Sequence, residues 1–381
     1  MKRIVIILIL SAVFTTCCAP KASVEELNQI VSEFYQDVKS ANIPVFQYCI
    51  FEKDISIGGV ILADSVYNYT QPANDSSIFQ AASLSKPLFA YIVMKMVDKG
   101  EIDLDTPICQ YTDIERFEDK EMAAILTPRM VLSHTTGLPN WSAKSSSDEW
   151  PTSVIKFKYP ADSCFSYSGE GFAYLQRAIE AIRGTSLDVI AREEVFVPLR
   201  MNSTSFGWLP QYDSIALDGF NRAAKNRGQG RHPRENSAYT LRTNASEYMR
   251  FLIAVMEGKG LSATSHAEML TPQSHAIRYA DHPDCDSTIR WTIGLGAIYS
   301  DTAAVEKGEA PRYYYHLGDN GNFKALFVFR PEDRRGIVYF TNSVNGHEII
   351  TSVTRATFGE LLSIQDWLQK TKGIKMNSVS N

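Results

Sequence analysis

Apolar positions recur along this chain with two different periods, and the exchange of one period for the other marks out the expected elements. From Val24 to about Ser40, Leu27, Ile30, Val31, Phe34 and Val38 return at helical spacing and define one buried face, which predicts an amphipathic opening helix. Two β-like runs follow, Phe46 to Phe51 and Ile57 to Leu62, separated by the polar Glu52-Lys53-Asp54 in the manner of a hairpin. Between about Leu84 and Arg250 the periodic segments are mostly helical, joined by loops rich in Ser, Pro, Asn and Gly, as at 137–148 and 225–236. After Ile289 strand-like runs return at Trp291 to Tyr299, Lys324 to Phe329 and Gly336 to Phe340, with Pro331-Glu332-Asp333 turning the last pair. A final helix is predicted from about His347 to Gln369, with Ile350, Val353, Phe358, Leu361, Leu362 and Trp367 on its apolar side, before a polar tail at 371–381.

Helix and strands at both ends with a helical middle predict an α/β (α+β) architecture: one antiparallel sheet built from both chain ends and flanked by helices, with an inserted, mainly helical lobe beside it. A cleft is expected between the two. No internal repeat or Pro-rich linker divides residues 24–370, which are read as one domain.

Composition narrows the function classes. At 44% hydrophobic and 21% charged residues the chain can bury a sizeable core, and its formal charge of -5, mixed along the sequence, supplies no dense Lys/Arg patch for nucleic acid. Lys2 and Arg3 precede an apolar run from Ile4 to Phe14, too short to span a bilayer, so residues 1–17 read as a signal peptide. Phe14-Thr15-Thr16-Cys17 resembles the lipidation box of bacterial lipoproteins, with Cys17 as the lipid-bearing residue; simple cleavage and secretion is the alternative. Either route predicts export to the periplasm or cell envelope, with membrane contact only through that anchor. The remaining cysteines, Cys49, Cys109, Cys164 and Cys285, are widely scattered and are expected as buried thiols rather than a disulfide framework.

The strongest local signal is Phe79-Gln80-Ala81-Ala82-Ser83-Leu84-Ser85-Lys86-Pro87, followed by Leu88, Phe89, Ile92, Val93, Met96 and Val97 at helical spacing. Ser83 is expected at a helix start, with Pro87 tolerated in the first turn. Residues three apart share a helix face, so Lys86 lies one turn above the Ser83 hydroxyl. A serine hydroxyl is nearly inert at neutral pH and must lose its proton as it attacks, which requires a base and, for a lysine, partial neutrality. By itself the segment also fits an N-cap serine with an exposed lysine. A second copy of the spacing, Ser153-Val154-Ile155-Lys156, sits among loop-like residues and reads as chance.

Three further blocks bear on that choice. The stretch from Phe79 to Pro107 resembles the opening of the class C β-lactamase family, within the serine β-lactamase and penicillin-binding-protein group. Thr127 to Pro139, containing Leu132-Ser133-His134-Thr135-Thr136-Gly137-Leu138, is similar to that family's Leu-Leu-Ser-His-Thr-Ser-Gly-Leu block. Phe165-Ser166-Tyr167-Ser168-Gly169 resembles its tyrosine element, and His316-Leu317-Gly318 falls where the family has Lys-Thr-Gly or His-x-Gly.

The resemblance implies a β-lactamase/transpeptidase-like fold and a serine hydrolase with Ser83 as acylated nucleophile, Lys86 as its activator and Tyr167 as a proton relay whose pKa a nearby ammonium would lower. Gly169 departs from the pattern, which usually places Asn there to hold the lysine and a substrate acylamino group; Glu170 after it reads as a solvated loop acid. The His316 block is expected as an edge strand lining the cleft, Gly318 admitting substrate close to the backbone and the Asp319 N–H joining that of Ser83 as an oxyanion hole. His316 in place of a permanent cation implies weaker, pH-dependent attraction for a substrate carboxylate. His134 reads as a structural histidine, and Asn342 and Asn345 as turn residues that stand within possible reach of substrate. No cofactor or metal is implied, and the expected partner is a small-molecule or peptide substrate with an amide or ester carbonyl. A D-amino-acid peptidase or transpeptidase, and a penicillin-binding sensor acylated with little turnover, are the alternatives.

Overall fold

A computed structural model describes residues 23–62, 71–223, 225–275, 289–299, 308, 311–360 and 362. The leader with Cys17, Cys285, and the segment from 363 through Gln369 to the 371–381 tail lie outside the described residues.

The opening helix α1 (Val24–Ser40) starts where the sequence places it because Ser23 and Glu26 form a reciprocal capping box, the Glu26 N–H donating to the Ser23 hydroxyl at 3.1 Å and the Ser23 N–H to the Glu26 carboxylate at 2.8 Å. Its face of Leu27, Ile30, Phe34 and Val38 is buried. Strands β1 (Val45–Glu52) and β2 (Ile55–Leu62) form the expected hairpin. A short strand β3 (Phe79–Gln80) leads through a 3₁₀ turn at Ala82–Leu84 into α2 (Ser85–Asp98). The lobe continues with α3 (Lys120–Ala123), α4 (Pro128–Leu132), α5 (Gly169–Arg183), α6 (Leu187–Ala191) and α7 (Tyr212–Ile215). Strand β4 (Arg242–Thr243) pairs back with β3, and α8 (Ala245–Glu257) and α9 (Ala263–Leu270) follow. The chain then returns to the sheet through β5 (Ser274–His275), β6 (Ile289–Trp291), β7 (Gly296–Tyr299), β8 (Arg312–Asp319), β9 (Lys324–Arg330) and β10 (Arg335–Thr341), and α10 (Ile350–Phe358) closes it.

The sheet runs β2-β1-β10-β9-β8-β7-β6-β5 with every pair antiparallel, so the two chain ends meet at β1 and β10, from Phe46↔Thr341 to Glu52↔Arg335. Side chains alternate across it. Phe46, Tyr48 and Ile50 of β1 pack with α1 and α10, whereas Val45, Cys49 and Phe51 pack with the lobe. β8 divides likewise: Tyr313, Tyr315 and Leu317 join the first core and Tyr314 the second.

Four expectations change. The run Trp291 to Tyr299 is two strands, because Gly294 at φ +81° turns the chain toward the lobe and its N–H donates to the Leu132 carbonyl at 2.9 Å. Its Ile293 and Leu295 are apolar because they are buried in the lobe core. The last helix is not continuous from His347: Val344–His347 is a 3₁₀ turn, and α10 ends at Phe358 on Gly359 in the left-handed conformation. β8 is not an edge strand along its whole length, since it lies between β7 and β9; β7 reaches only to Gly296 opposite Tyr315, so from His316 to Asp319 β9 alone pairs with it. The expected buried thiols are mixed: Cys49 is buried, and its pKa is pushed up to about 12 by that burial against the opposing pull of Arg250, whereas Cys109 and Cys164 are partly exposed and unbridged.

Phe34 has no exposed surface and meets Phe46 and Tyr48 edge-on, with ring centroids 5.9 Å apart in both pairs. Phe34→Ala is expected to cost about 3–5 kcal/mol, read as a lowered urea midpoint; an unchanged midpoint would mean that α1 adds nothing to the sheet.

Candidate active site

Ser83 sits in the 3₁₀ turn between β3 and α2, preceded by Ala82 at φ +50°, a left-handed conformation that costs energy for any residue with a Cβ. The turn is fastened around it. The Ala81 N–H donates to the Leu241 carbonyl at 2.8 Å, and the Ser85 hydroxyl donates to the Ala82 carbonyl at 2.6 Å while accepting the Leu241 N–H at 3.0 Å. The helix itself is N-capped by Leu84 without a side-chain bond, which leaves the Ser83 hydroxyl for another partner.

That partner is Lys86. Its Nζ lies 3.3 Å from Ser83 Oγ and donates to the Ala238 carbonyl at 2.8 Å, and the residue is 1% exposed. The exposed-lysine reading of the segment is thereby excluded. The ammonium also stands 4.7 Å from the centroid of the Tyr167 ring and 5.5 Å from that of Phe172. The second spacing copy has no such geometry: Ser153 is hydrogen-bonded to Ser142 and the Trp150 carbonyl, and Lys156 pairs at the surface with Glu118.

Tyr167 immediately precedes Ser168, the N-cap of α5, whose hydroxyl accepts the Gly171 N–H and donates to the Pro139 carbonyl. The phenol is hydrogen-bonded to Ser83. Burial raises its pKa above the ordinary tyrosine range and the Ser83 bond only partly opposes this, so it rests as a neutral phenol. This corrects the expected lowering by the ammonium and makes the group a proton donor at rest.

His134 is structural, as expected. Its Nδ1 accepts the Ser168 N–H at 3.1 Å, and its ring packs among those of Tyr167, Phe172, Phe165 and Trp291 at centroid distances of 4.3–5.6 Å. Burial first, and then the positive fields of Lys86 and His316, hold its pKa well below the usual value, so it stays uncharged.

The β8 residues take different places. His316 is 2% exposed, its Nδ1 2.8 Å from the Leu317 carbonyl and its ring 5.5 Å from Trp291 and 6.2 Å from Tyr167. It backs Tyr167 and does not open to the cleft, so direct attraction of a substrate carboxylate is not what this position offers. Gly318 is needed for the protein's own packing: a Cβ there would lie 2.5 Å from the Ala81 carbonyl oxygen and 3.0 Å from Ala325 Cβ. The close approach first read as room for substrate is that of β8 to the Ser83 turn.

The Asn320 N–H donates to the Phe323 carbonyl across the β8–β9 hairpin, so by the alternation of an antiparallel pair the Asp319 N–H points away from β9, into the half left open where β7 stops. The Asp319 side chain accepts from Lys324 and from the Gly321 N–H; burial raises its pKa, but Lys324, Gly321 and His347 together outweigh that and hold it below the usual carboxylate range.

Gly169 lies beneath the indole of Trp141, whose ring atoms occupy the space 2.4–2.8 Å from where a Cβ would stand. The space at this place is therefore filled by Trp141, which sequence reading missed; the signal was the glycine itself, where the family has a side chain. Glu170 is corrected outright. It has no exposed surface, pairs with Arg116 at 3.3 Å, and accepts from Ser142 N–H, Ser142 Oγ and Trp150 Nε1 at 2.6–2.8 Å. Ala238, through its carbonyl, is a second residue missed. Asn342 and Asn345 are structural, donating to the Asp218 and Ala41 carbonyls.

Comparisons with known proteins give the family and the fold. The model of the β-lactamase family matches residues 54–357. The chain is 30% identical over 137 residues to penicillin-binding protein 4 of Amycolatopsis lactamdurans, covering 34% of this chain and 36% of that one. It is 25% identical over 348 residues to penicillin-binding protein 4* of Bacillus subtilis (strain 168), covering 78% and 69%. Among solved structures, a class C β-lactamase from Rhodobacter sphaeroides superposes with a TM-score of 0.69 at 15% identity, over 87% of this chain and 99% of the other.

Because the folded pKa of His134 is depressed, only the unfolded chain takes up its proton below about pH 6.5, and stability falls with pH by about 1.4 kcal/mol per unit until the folded value is reached. Above pH 6.5 the contribution is fully present. The difference in denaturation free energy between wild type and His134→Gln should shrink by about 1 kcal/mol from pH 6.5 to 5.5; a difference independent of pH would show that the fold does not depress the His134 pKa.

Proposed function

Because the chain belongs to the β-lactamase family, we propose that it is a serine hydrolase that acts on amide or ester carbonyls through an acyl-enzyme on Ser83. The observation that carries this reading is the position of Ser83 Oγ between a buried lysine 3.3 Å away and a hydrogen-bonded phenol. Ser83 attacks the carbonyl carbon as its proton passes to the neutral fraction of the buried Lys86 amine. The oxyanion that forms is met by the N–H groups of Ser83 and Asp319. Tyr167, protonated at rest, hands a proton to the leaving group as the carbonyl reforms and regains one from Lys86; water then attacks the acyl-enzyme, giving a proton to Lys86 while Tyr167 returns one to Ser83 Oγ.

The names of the two relatives favour a second reading in which the acyl-enzyme forms and releases slowly, as in a penicillin-binding protein. Intact mass of the protein after treatment with a fluorophosphonate and with a penicillin, beside Ser83→Ala, tests both readings, together with turnover of nitrocefin and a short-chain p-nitrophenyl ester. Wild type is expected to gain one adduct that Ser83→Ala lacks, and the substrate that turns over identifies the preferred carbonyl. An adduct without turnover selects the slow acyl-enzyme, and equal labelling of both proteins would remove Ser83 from the mechanism.

The leader supports export, with Cys17 as a lipid anchor. Full-length protein expressed in a bacterium should then sediment with membranes and Cys17→Ser should not; sedimentation unaffected by the substitution would rule the anchor out.

A further inference from the structure

We propose that Trp141 selects the acyl half of the substrate, favouring an apolar acyl chain where related sites would take an acylamino group; the inference rests on the Ser83 hydrolase reading and adds its substrate class. The argument starts from volume. Trp141 Cζ2 and Cη2 lie 2.4 and 2.5 Å from the position of a Cβ on Gly169, so the indole fills the space any side chain at 169 would need. Gly169 is two residues beyond Tyr167, and on its other side the indole meets Tyr239 edge-on at 5.4 Å, next to the Ala238 carbonyl that holds Lys86. Trp141 thus spans the two segments that flank the reacting pair, and it is itself partly exposed.

The oxygens of Asn140, beside Gly169, are already used. The Asn140 side-chain oxygen accepts the Gly169 N–H at 2.9 Å, and the Asn140 carbonyl accepts the N–H groups of Gly169 and Glu170 at 3.1 and 3.0 Å. Both oxygens are committed to holding the loop against α5.

The plate is also fixed. Glu170 grips Ser142, the residue after Trp141, through its N–H and its hydroxyl, and grips Trp150, whose ring meets the Trp141 ring at 5.7 Å and 78°. A held aromatic surface loses little entropy when an apolar chain is laid on it. An acylamino group laid on the ring would give up water on its N–H and C=O, and the indole face offers neither of them a hydrogen-bond partner. Glu170 acts here as a positioning residue for Trp141.

The test compares two near-isosteric esters, p-nitrophenyl 4-methylpentanoate and p-nitrophenyl N-acetylglycinate, as kcat/KM corrected for the spontaneous hydrolysis of each. Wild type is expected to favour the apolar ester by about tenfold or more. Trp141→Gln should cut that ratio at least about fivefold, Trp141→Phe should keep most of it, and Trp141→Gln with Gly169→Asn should favour the acylamino ester. Stoichiometric fluorophosphonate labelling identifies the variants that remain folded, and Trp141→Phe against wild type decides the question if Trp141→Gln does not label. Ser83-dependent turnover with a ratio that no Trp141 variant changes would overturn this inference alone. Turnover of both esters that survives Ser83→Ala would overturn the hydrolase reading and this inference with it.

Discussion

The pairing of β1 with β10 is the constraint on which the rest of the arrangement depends. It joins the two ends of the chain across almost its full length: the Val45 N–H donates to the Asn342 side chain 297 positions away. Closing so long a loop costs conformational entropy, though the cost grows only slowly with length. Burial repays it, since every residue of β1 is buried and the strand contributes to the cores on both faces of the sheet. With the ends locked together, the intervening residues are held as a lobe against one face, and the seam between lobe and sheet becomes a fixed surface.

The chemistry stands on that seam where the sheet is locally unfinished. β7 pairing stops at Tyr315, so β8 continues for four more residues, His316 to Asp319, with one side open, and the Ser83 turn docks against it at Gly318. Neither element makes the site alone. The turn supplies a serine and a lysine, the loop before α5 supplies the tyrosine, and β8 supplies a backbone N–H with the right direction. Contact distances too short for any Cβ at Gly318 and at Gly169 show how tightly these pieces are pressed together.

The surroundings set the protonation states. Rings of Tyr167, Phe172, Phe165 and Trp291 enclose His134, and with Lys86 close by they keep it neutral. The same exclusion of water keeps the Tyr167 phenol protonated. Burial therefore sets the proton inventory of the site first, and the charges of Lys86 and His316 add to it at His134, His316 standing behind Tyr167 without facing the cleft.

Local information in the chain determined a good deal: α1 with its capping box, the β1–β2 hairpin, the helical middle, the strands near the C-terminus, and the pairing of Ser83 with Lys86, all of which rest on spacings of a few residues. What tertiary structure decided was whatever depends on a neighbour distant in sequence. Gly294 and the lobe it packs against broke one expected strand in two. Glu170, flanked by residues that suit a loop, became a buried ion-paired anchor because Arg116, Ser142 and Trp150 converge on it. Trp141 packs over the start of α5 only because Gly169, 28 positions along as Ser142 is from Glu170, leaves room for its ring. Periodicity reports which side of an element is buried, but the partner that covers it, and hence the pKa, the orientation of an N–H and the shape of a pocket, is set by packing between segments that no local pattern connects.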